Sequence, residues 1–192
     1  MLDASRPTET EANQLEHPDR DYILLKITAL HGLRNSEART LRRKHVDIEN
    51  NQIYIVDSKN GEDRNIPIHP QIKIELQAYI QPFSREDYLF PSRVSSSCLS
   101  ERGFQYLVTK YAFQSGLYPE NIEKGELDEI PYRERVMPHT LRHTYCTRLL
   151  REGVEIEDVS KLMGHEHVSV TSKIYSHLLT SEMENQQAKF RI

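Results

Sequence analysis

Tryptophan is absent from the 192-residue chain, which has only two cysteines, seven glycines and nine prolines. Two cysteines form one disulfide at most, so a disulfide-stapled scaffold is excluded, as are collagen-like and low-complexity chains. No apolar run reaches the roughly 20 residues that cross a bilayer, and the first residues lack the basic and apolar regions of a secretory signal. We therefore expect one compact domain in the cytoplasm, with no membrane partner.

An excess of positive charge is also missing. The formal net charge is −4, which by itself argues mildly against a nucleic-acid partner. The basic residues are nevertheless concentrated, because residues 34–44 and 133–151 each hold five basic residues against one acidic residue. Such segments are expected where one face of a protein meets phosphates, although two solvated helix faces would produce the same pattern.

The spacing of apolar residues predicts helices over most of the chain. Ile23, Ile27 and Leu30 form one stripe that ends at Gly32, and Ser36 is the predicted cap of a short second helix. Further helices are predicted after Pro70 (buried at Ile72, Leu76 and Tyr79 or Ile80), after Ser100, after Pro138, before Gly164 and after Ser169. Alternation at Ile53 and Ile55, an Asn60-Gly61 turn and alternation at Ile66 and Ile68 predict a β-hairpin. The fold class is therefore α+β, mainly α-helical.

Three separated clusters use residues that a protein core does not need. They are Gly32-Leu33-Arg34, the pentapeptide HTLRH with His139 and Arg142, and Gly164-His165 ten residues before Tyr175; Lys59 at the hairpin turn is a fourth candidate. Guanidinium forks match the non-bridging oxygens of a phosphodiester, and Arg34 precedes a helix N-terminus, where free amides also favour an anion. His139 and Arg142 share a helix face, so both can point at one phosphate.

A metal site is the alternative for the histidines. His139 and His143 have the i, i+4 spacing of zinc ligands, although the glutamate of HExxH is absent and Arg142 places a positive charge beside them. A metal-dependent hydrolase that uses His139, His143 and His165 therefore stays open. Tyr175 is one of ten tyrosines, and most helical tyrosines serve packing.

Taken together and in this order, the clusters resemble the catalytic domain of the tyrosine recombinases, the phage integrase family. HGLRNSEARTLRRKHVDI resembles the first arginine box, KNGEDRNIPI the hairpin with the catalytic lysine, PHTLRHTYCTRLLREG the His-x-x-Arg box and LMGHEHVSVTSKIYSH the Gly-His and tyrosine box. DYLFPS resembles a connector of the family. The resemblance spans residues 21–177. His31 departs from the small or hydroxyl residue usual before the glycine, and the loop between Leu117 and Val136 is longer than usual.

The resemblance implies a helical fold with a small antiparallel sheet and a catalytic set of Arg34, Lys59, His139, Arg142, His165 and Tyr175. It implies that Tyr175 attacks a DNA phosphorus and forms a 3′-phosphotyrosine without metal, ATP or other cofactor. Double-stranded DNA is then the partner, with self-association on DNA into a tetrameric synapse. From the basic segments we predict further DNA contacts by Arg39, Arg42, Arg43, Lys44 and Arg148.

The expected organisation has three parts. Residues 1–18 are predicted to be a polar tail or linker remnant, 19–177 the catalytic domain, and 178–192 a C-terminal tail that is exchanged between protomers. Family members usually carry a helical DNA-clamping domain at the front, where this chain has a short polar segment. A DNA-binding module without catalysis, a minimal or remnant recombinase, is therefore the second alternative.

Overall fold

The computed structural model describes residues 17–56, 63–92, 97–118, 130, 135–165, 167–169 and 171–172. The elements are, in chain order, helix α1 (Pro18–His31), helix α2 (Asn35–Arg39), a 3₁₀ turn (Arg43–His45), strands β1 (Val46–Asp47), β2 (Gln52–Ile55) and β3 (Arg64–Pro67), and helices α3 (Pro70–Ile80), α4 (Glu101–Gln114), α5 (Pro138–Arg151) and α6 (Ile156–Met163). The predicted class, mainly helical with a small antiparallel sheet, is confirmed. Among the residues that the structure describes, no helix is long and apolar enough to cross a membrane.

Helix α1 is the central helix of the domain and packs against α3 and α5. Pro18 stands in its first turn, and the stripe of Ile23, Ile27 and Leu30 is buried as predicted. The helix ends where Gly32 adopts a left-handed conformation (φ 62°, ψ 31°), which glycine reaches without a steric penalty. The chain therefore turns sharply just before Arg34.

The sheet has the order β1-β2-β3, with both pairs antiparallel. Val46, Ile53 and Ile66 lie opposite one another in the register, so their side chains share the buried face of the sheet. The two predicted hairpin strands are confirmed, and β1 is an addition that the alternation did not reveal. The predicted Asn60-Gly61 turn and most of the predicted loop between Leu117 and Val136 lie outside the described residues.

Two predicted helix caps are wrong. Helix α2 begins one residue before Ser36, because the carboxylate of Glu37 accepts the backbone N–H of Arg34 at 2.7 Å and so stabilises an earlier start. Ser169 is not an N-terminal cap either, since Val168, one residue earlier, is already helical. Hydroxyls cap helices well, but at α2 the contact between the Glu37 carboxylate and the N–H of Arg34 takes the place of a serine cap.

The remaining helix predictions agree with the structure. Ser100 caps α4, where its hydroxyl accepts the N–H of Gly103 at 3.0 Å. Of the two candidates at the end of α3, Ile80 is the buried one, whereas Tyr79 is half-buried and its hydroxyl donates to a backbone carbonyl at 2.5 Å. The glycines predicted to end helices lie within two residues of the observed ends: Gly32 and Gly164 directly follow their helices, and Gly116 and Gly153 stand two residues after theirs.

The core consists of two packed groups of side chains. The larger group joins α1, the sheet, α3 and α4, and the smaller one joins α5 to α6 through Cys146, Leu150, Val159 and Met163. Gly32 lies between them, because a Cβ at this position would overlap the ring of Tyr145 and lie 3.1 Å from the sulfur of Met163. This close approach brings the residue after α1 against the end of α6.

Candidate functional site

The carboxylate of Glu37 is the centre of a cluster of arginines. Arg34 donates from Nη1 to Oε1 at 2.8 Å, and Arg64 binds both carboxylate oxygens, at 2.8 and 2.9 Å. The Nη1 of Arg142 lies 4.0 Å from Oε2. The carboxylate is 3% exposed. Burial raises the pKa of Glu37, but Arg64 and Arg34 outweigh burial and hold the pKa below its usual value, so the carboxylate is ionised near pH 7.

Arg142 projects from α5 towards the ends of α1 and α6. It donates to the carbonyl of Gly32 at 2.6 Å, to the carbonyl of Met163 at 2.5 Å and to Nε2 of His165 at 3.0 Å. The C-terminal end of a helix carries partial negative charge and has carbonyls without helical partners, so a cation is favoured there. The guanidinium is therefore oriented by the protein itself.

Arg34 occupies the neighbouring position. One of its Nη2 hydrogens bonds the carbonyl of Gly164, the left-handed residue that ends α6 (φ 64°). Its side chain is 29% exposed, whereas that of Arg142 is 11% exposed. Arg34 and Arg142 thus meet at the same two chain turns, although 108 residues separate them in sequence.

His165 is the third predicted residue in the cluster. Its Nε2 faces an N–H of Arg142 and must accept, so we assign the ring proton to Nδ1, which donates to the hydroxyl of the buried Thr171 at 2.7 Å. Burial, together with the charges of Arg142 and Arg34, lowers the pKa of His165 to about 4. The histidine is therefore neutral near pH 7.

Of the other predicted catalytic residues, only His139 is described. It is exposed on the first turn of α5, one turn before Arg142, and its ring centre lies 6.3 Å from that of His143. Within the described ranges no three histidine, cysteine or carboxylate side chains are grouped to hold a metal, so His139, His143 and His165 are not a ligand set there. Lys59 and Tyr175 lie outside the described residues.

The predicted DNA contacts all have partners within the chain. They are Arg39 (carbonyl of Leu99, 2.7 Å), Arg42 (over the ring of Tyr88, 3.9 Å), Arg43 (carbonyl of Val46, 2.9 Å), Lys44 (Glu86, 2.6 Å) and Arg148 (Glu152, 2.8 Å). Arg39 thus connects the end of α2 to the residue before Ser100, and Arg43 connects the 3₁₀ turn to the first residue of β1. Whether the five residues also meet phosphates stays a prediction.

Glu37 and Arg64 are members of the site that the sequence did not reveal. The sequence does contain a signal for Glu37, because a glutamate three residues after an N-cap residue commonly accepts the backbone N–H of that residue. Arg64 has no such signal, because its partner is 27 residues away. With Arg34, Arg64 and Arg142 positive, Glu37 negative and His165 neutral, the cluster carries a net charge of +2, which suits a doubly negative oxyanion.

The fold is that of site-specific recombinases. A crystal structure of XerA recombinase matches with a TM-score of 0.72 at 24% identity, covering 97% of this chain and 65% of that one. The structure of XerH site-specific recombinase bound to palindromic difH substrate matches with a TM-score of 0.70 at 21% identity, covering 98% of this chain and 51% of that one.

Residues 8–182 match the model of the phage integrase family, and the chain belongs to that family. Tyrosine recombinase XerA of Thermococcus kodakarensis is 30% identical over 176 residues, which cover 90% of this chain and 56% of that protein. The chain spans about half the length of the curated relatives that it matches.

Proposed function

We propose that the chain is the catalytic domain of a site-specific DNA recombinase that cleaves and rejoins strands in the cytoplasm. The observation that carries the proposal is the convergence of Arg34, Arg142 and His165 around the buried carboxylate of Glu37. Two oriented guanidinium forks and a histidine suit the non-bridging oxygens of one phosphodiester.

In the proposed reaction the oxygen of Tyr175 attacks a DNA phosphorus, a phosphotyrosine bond forms at the 3′ side, and the bond from phosphorus to the 5′-oxygen breaks. Lys59 gives a proton to the leaving 5′-oxygen, and His139 is the candidate base for the tyrosine proton. A 5′-hydroxyl from a second strand then reverses the step, which transfers the strand. The ester bond conserves the energy, so ATP and metal are not required.

The net charge of the cluster supports the proposed reaction. The attacked phosphodiester gains negative charge on its non-bridging oxygens, and a cluster of net charge +2 stabilises that charge more than the single charge of the ground state. Arg142 and Arg34 are already held by backbone carbonyls before DNA arrives, so little reorientation is needed.

The proposed partner is double-stranded DNA, on which four protomers assemble and exchange their C-terminal tails.

The test is covalent trapping on a nicked duplex that releases a short fragment after cleavage. We expect a DNA-linked band on denaturing gels that persists with a strong chelator and is lost in Tyr175→Phe. Arg142→Lys should lower the rate about a hundredfold, because an ammonium does not replace the fork. Arg151→Lys, an exposed change on the same helix, should cleave at the wild-type rate.

DNA binding without a covalent band would favour the alternative of a binding module. A band that survives in Tyr175→Phe would refute the assignment of the nucleophile, and loss of activity with the chelator would favour metal-dependent hydrolysis.

A further inference from the structure

Arg64 is held by protein groups at each nitrogen of its guanidinium. At the start of β3, it binds both oxygens of Glu37, at 2.8 and 2.9 Å, and its Nε donates to the carbonyl of Leu162 at 3.1 Å. Its side chain is 11% exposed. All three guanidinium nitrogens thus donate to groups of the protein, so Arg64 differs from the more accessible Arg34.

The end of α6 is shaped around this side chain. A Cβ at Gly164 would lie 2.5 Å from Nη1 of Arg64, so the guanidinium occupies the space that any other residue would fill. The carbonyl of Gly164 accepts a hydrogen bond from Arg34, and Gly164 directly precedes His165. Through this turn, Arg64 connects β3 to two predicted catalytic residues. Moving Arg64 would therefore disturb both the carboxylate and the turn.

The charge of Arg64 has a separate effect. An ionised, buried carboxylate requires a compensating cation, and the guanidinium of Arg64 donates to both oxygens of Glu37. Without Arg64, Glu37 would be compensated by Arg34 and Arg142 alone, and the cluster would fall from a net charge of +2 to +1. Less positive charge would then remain for an attacked phosphate.

We propose that Arg64 is a positioning residue of the strand-transfer reaction. It neutralises and orients Glu37, so that Arg34 and Arg142 keep their charge and direction for the phosphate, and it does not bind DNA itself. The proposal rests on the proposed function. It predicts that the harm of losing Arg64 arises largely from the carboxylate that is left behind.

The experiment compares Arg64→Gln, Arg64→Lys and the double variant Arg64→Gln/Glu37→Gln. At saturating DNA we expect Arg64→Gln to slow formation of the covalent complex by at least about tenfold, with the DNA dissociation constant nearly unchanged. Removing the carboxylate as well should recover part of the rate, because the net charge returns to +2. Arg64→Lys keeps the charge without the fork and should fall between wild type and Arg64→Gln. Arg102→Gln, an exposed change on α4, is the matched control.

A second measurement does not depend on cleavage. Nuclear magnetic resonance titration of the His165 ring should show a higher pKa in Arg64→Gln, because a neighbouring positive charge is lost, and a lower pKa again when Glu37→Gln is added. A simple packing defect would not reverse in this way. Thermal melting of each variant reports whether it is folded.

The outcomes separate the two proposals. Wild-type cleavage by Arg64→Gln, a double variant slower than Arg64→Gln, or an unchanged pKa of His165 in both variants would overturn the role of Arg64 and leave the proposed function standing. A wild-type chain that forms no covalent complex would overturn the proposed function and the role of Arg64 with it.

Discussion

His31, which ends α1, should make the fold sensitive to acid. Its Nδ1 donates to the carbonyl of Ile27 at 2.9 Å, and its Nε2 accepts the backbone N–H of His69 at 3.0 Å. Burial is the main reason that the pKa of His31 is lowered to about 4, and its usual value is 6.5. The unfolded chain therefore binds a proton before the folded chain does. The contribution of the neutral ring to the free energy of unfolding is fully present above pH 6.5. On acidification this contribution falls by about 1.4 kcal/mol per pH unit, and about 3 kcal/mol is lost by pH 4.

The assay is urea unfolding of wild type and His31→Gln at several pH values between 7 and 4. Other titrating groups affect both proteins alike, so the difference between their free energies of unfolding isolates His31. We expect wild type to be more stable at pH 7, because the glutamine does not reproduce both hydrogen bonds, and the difference to shrink by about 3 kcal/mol towards pH 4. A difference that stays constant with pH would refute the reasoning.

Three further predictions concern the turn after α1, the leaving group and the tail. In thermal unfolding, Gly32→Ala should destabilise the fold by at least about 1 kcal/mol more than Gly153→Ala. Both glycines have a positive φ, but only a Cβ at Gly32 would overlap a neighbour, the ring of Tyr145 on α5. Equal losses would show that Tyr145 moves aside at no cost. A substrate with a 5′-bridging sulfur needs no proton on its leaving group, so it should restore cleavage to Lys59→Ala but not to Arg142→Ala, and failure of both would make the lysine a DNA-positioning residue. Truncation after His177 should weaken assembly on a duplex with inverted half-sites in sedimentation, and unchanged assembly would contradict tail exchange.

The sequence predicted most of the helices and three of the five residues of the cluster around Glu37. The stripe of Ile23, Ile27 and Leu30 and the glycine that follows define α1, because period and termination are properties of neighbouring residues. Arg34, Arg142 and His165 were identified from motif order, and the structure brings these three together. Positions outside the described residues, Lys59 and Tyr175, stay predictions.

The parts that escaped prediction depend on packing between distant segments. Arg64 finds Glu37 because β3 lies beside the short helix that carries the carboxylate, and no local spacing records that neighbourhood. His31 departs from the usual small or hydroxyl residue, and the ring accepts the backbone N–H of His69, which lies 38 residues away in the sequence.

The contacts that build the cluster also have a consequence for synthesis of the chain. Arg34 reaches Gly164 across 130 residues, Arg142 reaches Gly32 across 110, and Arg64 reaches Leu162 across 98. A ribosome releases the N-terminal part first, and contacts between such distant segments form late in folding. The cluster around Glu37 is therefore completed only after α6 has left the ribosome. A nascent polypeptide, or one whose translation stops before α6, lacks the assembled cluster that we propose to act on DNA, so we expect no DNA cleavage by it.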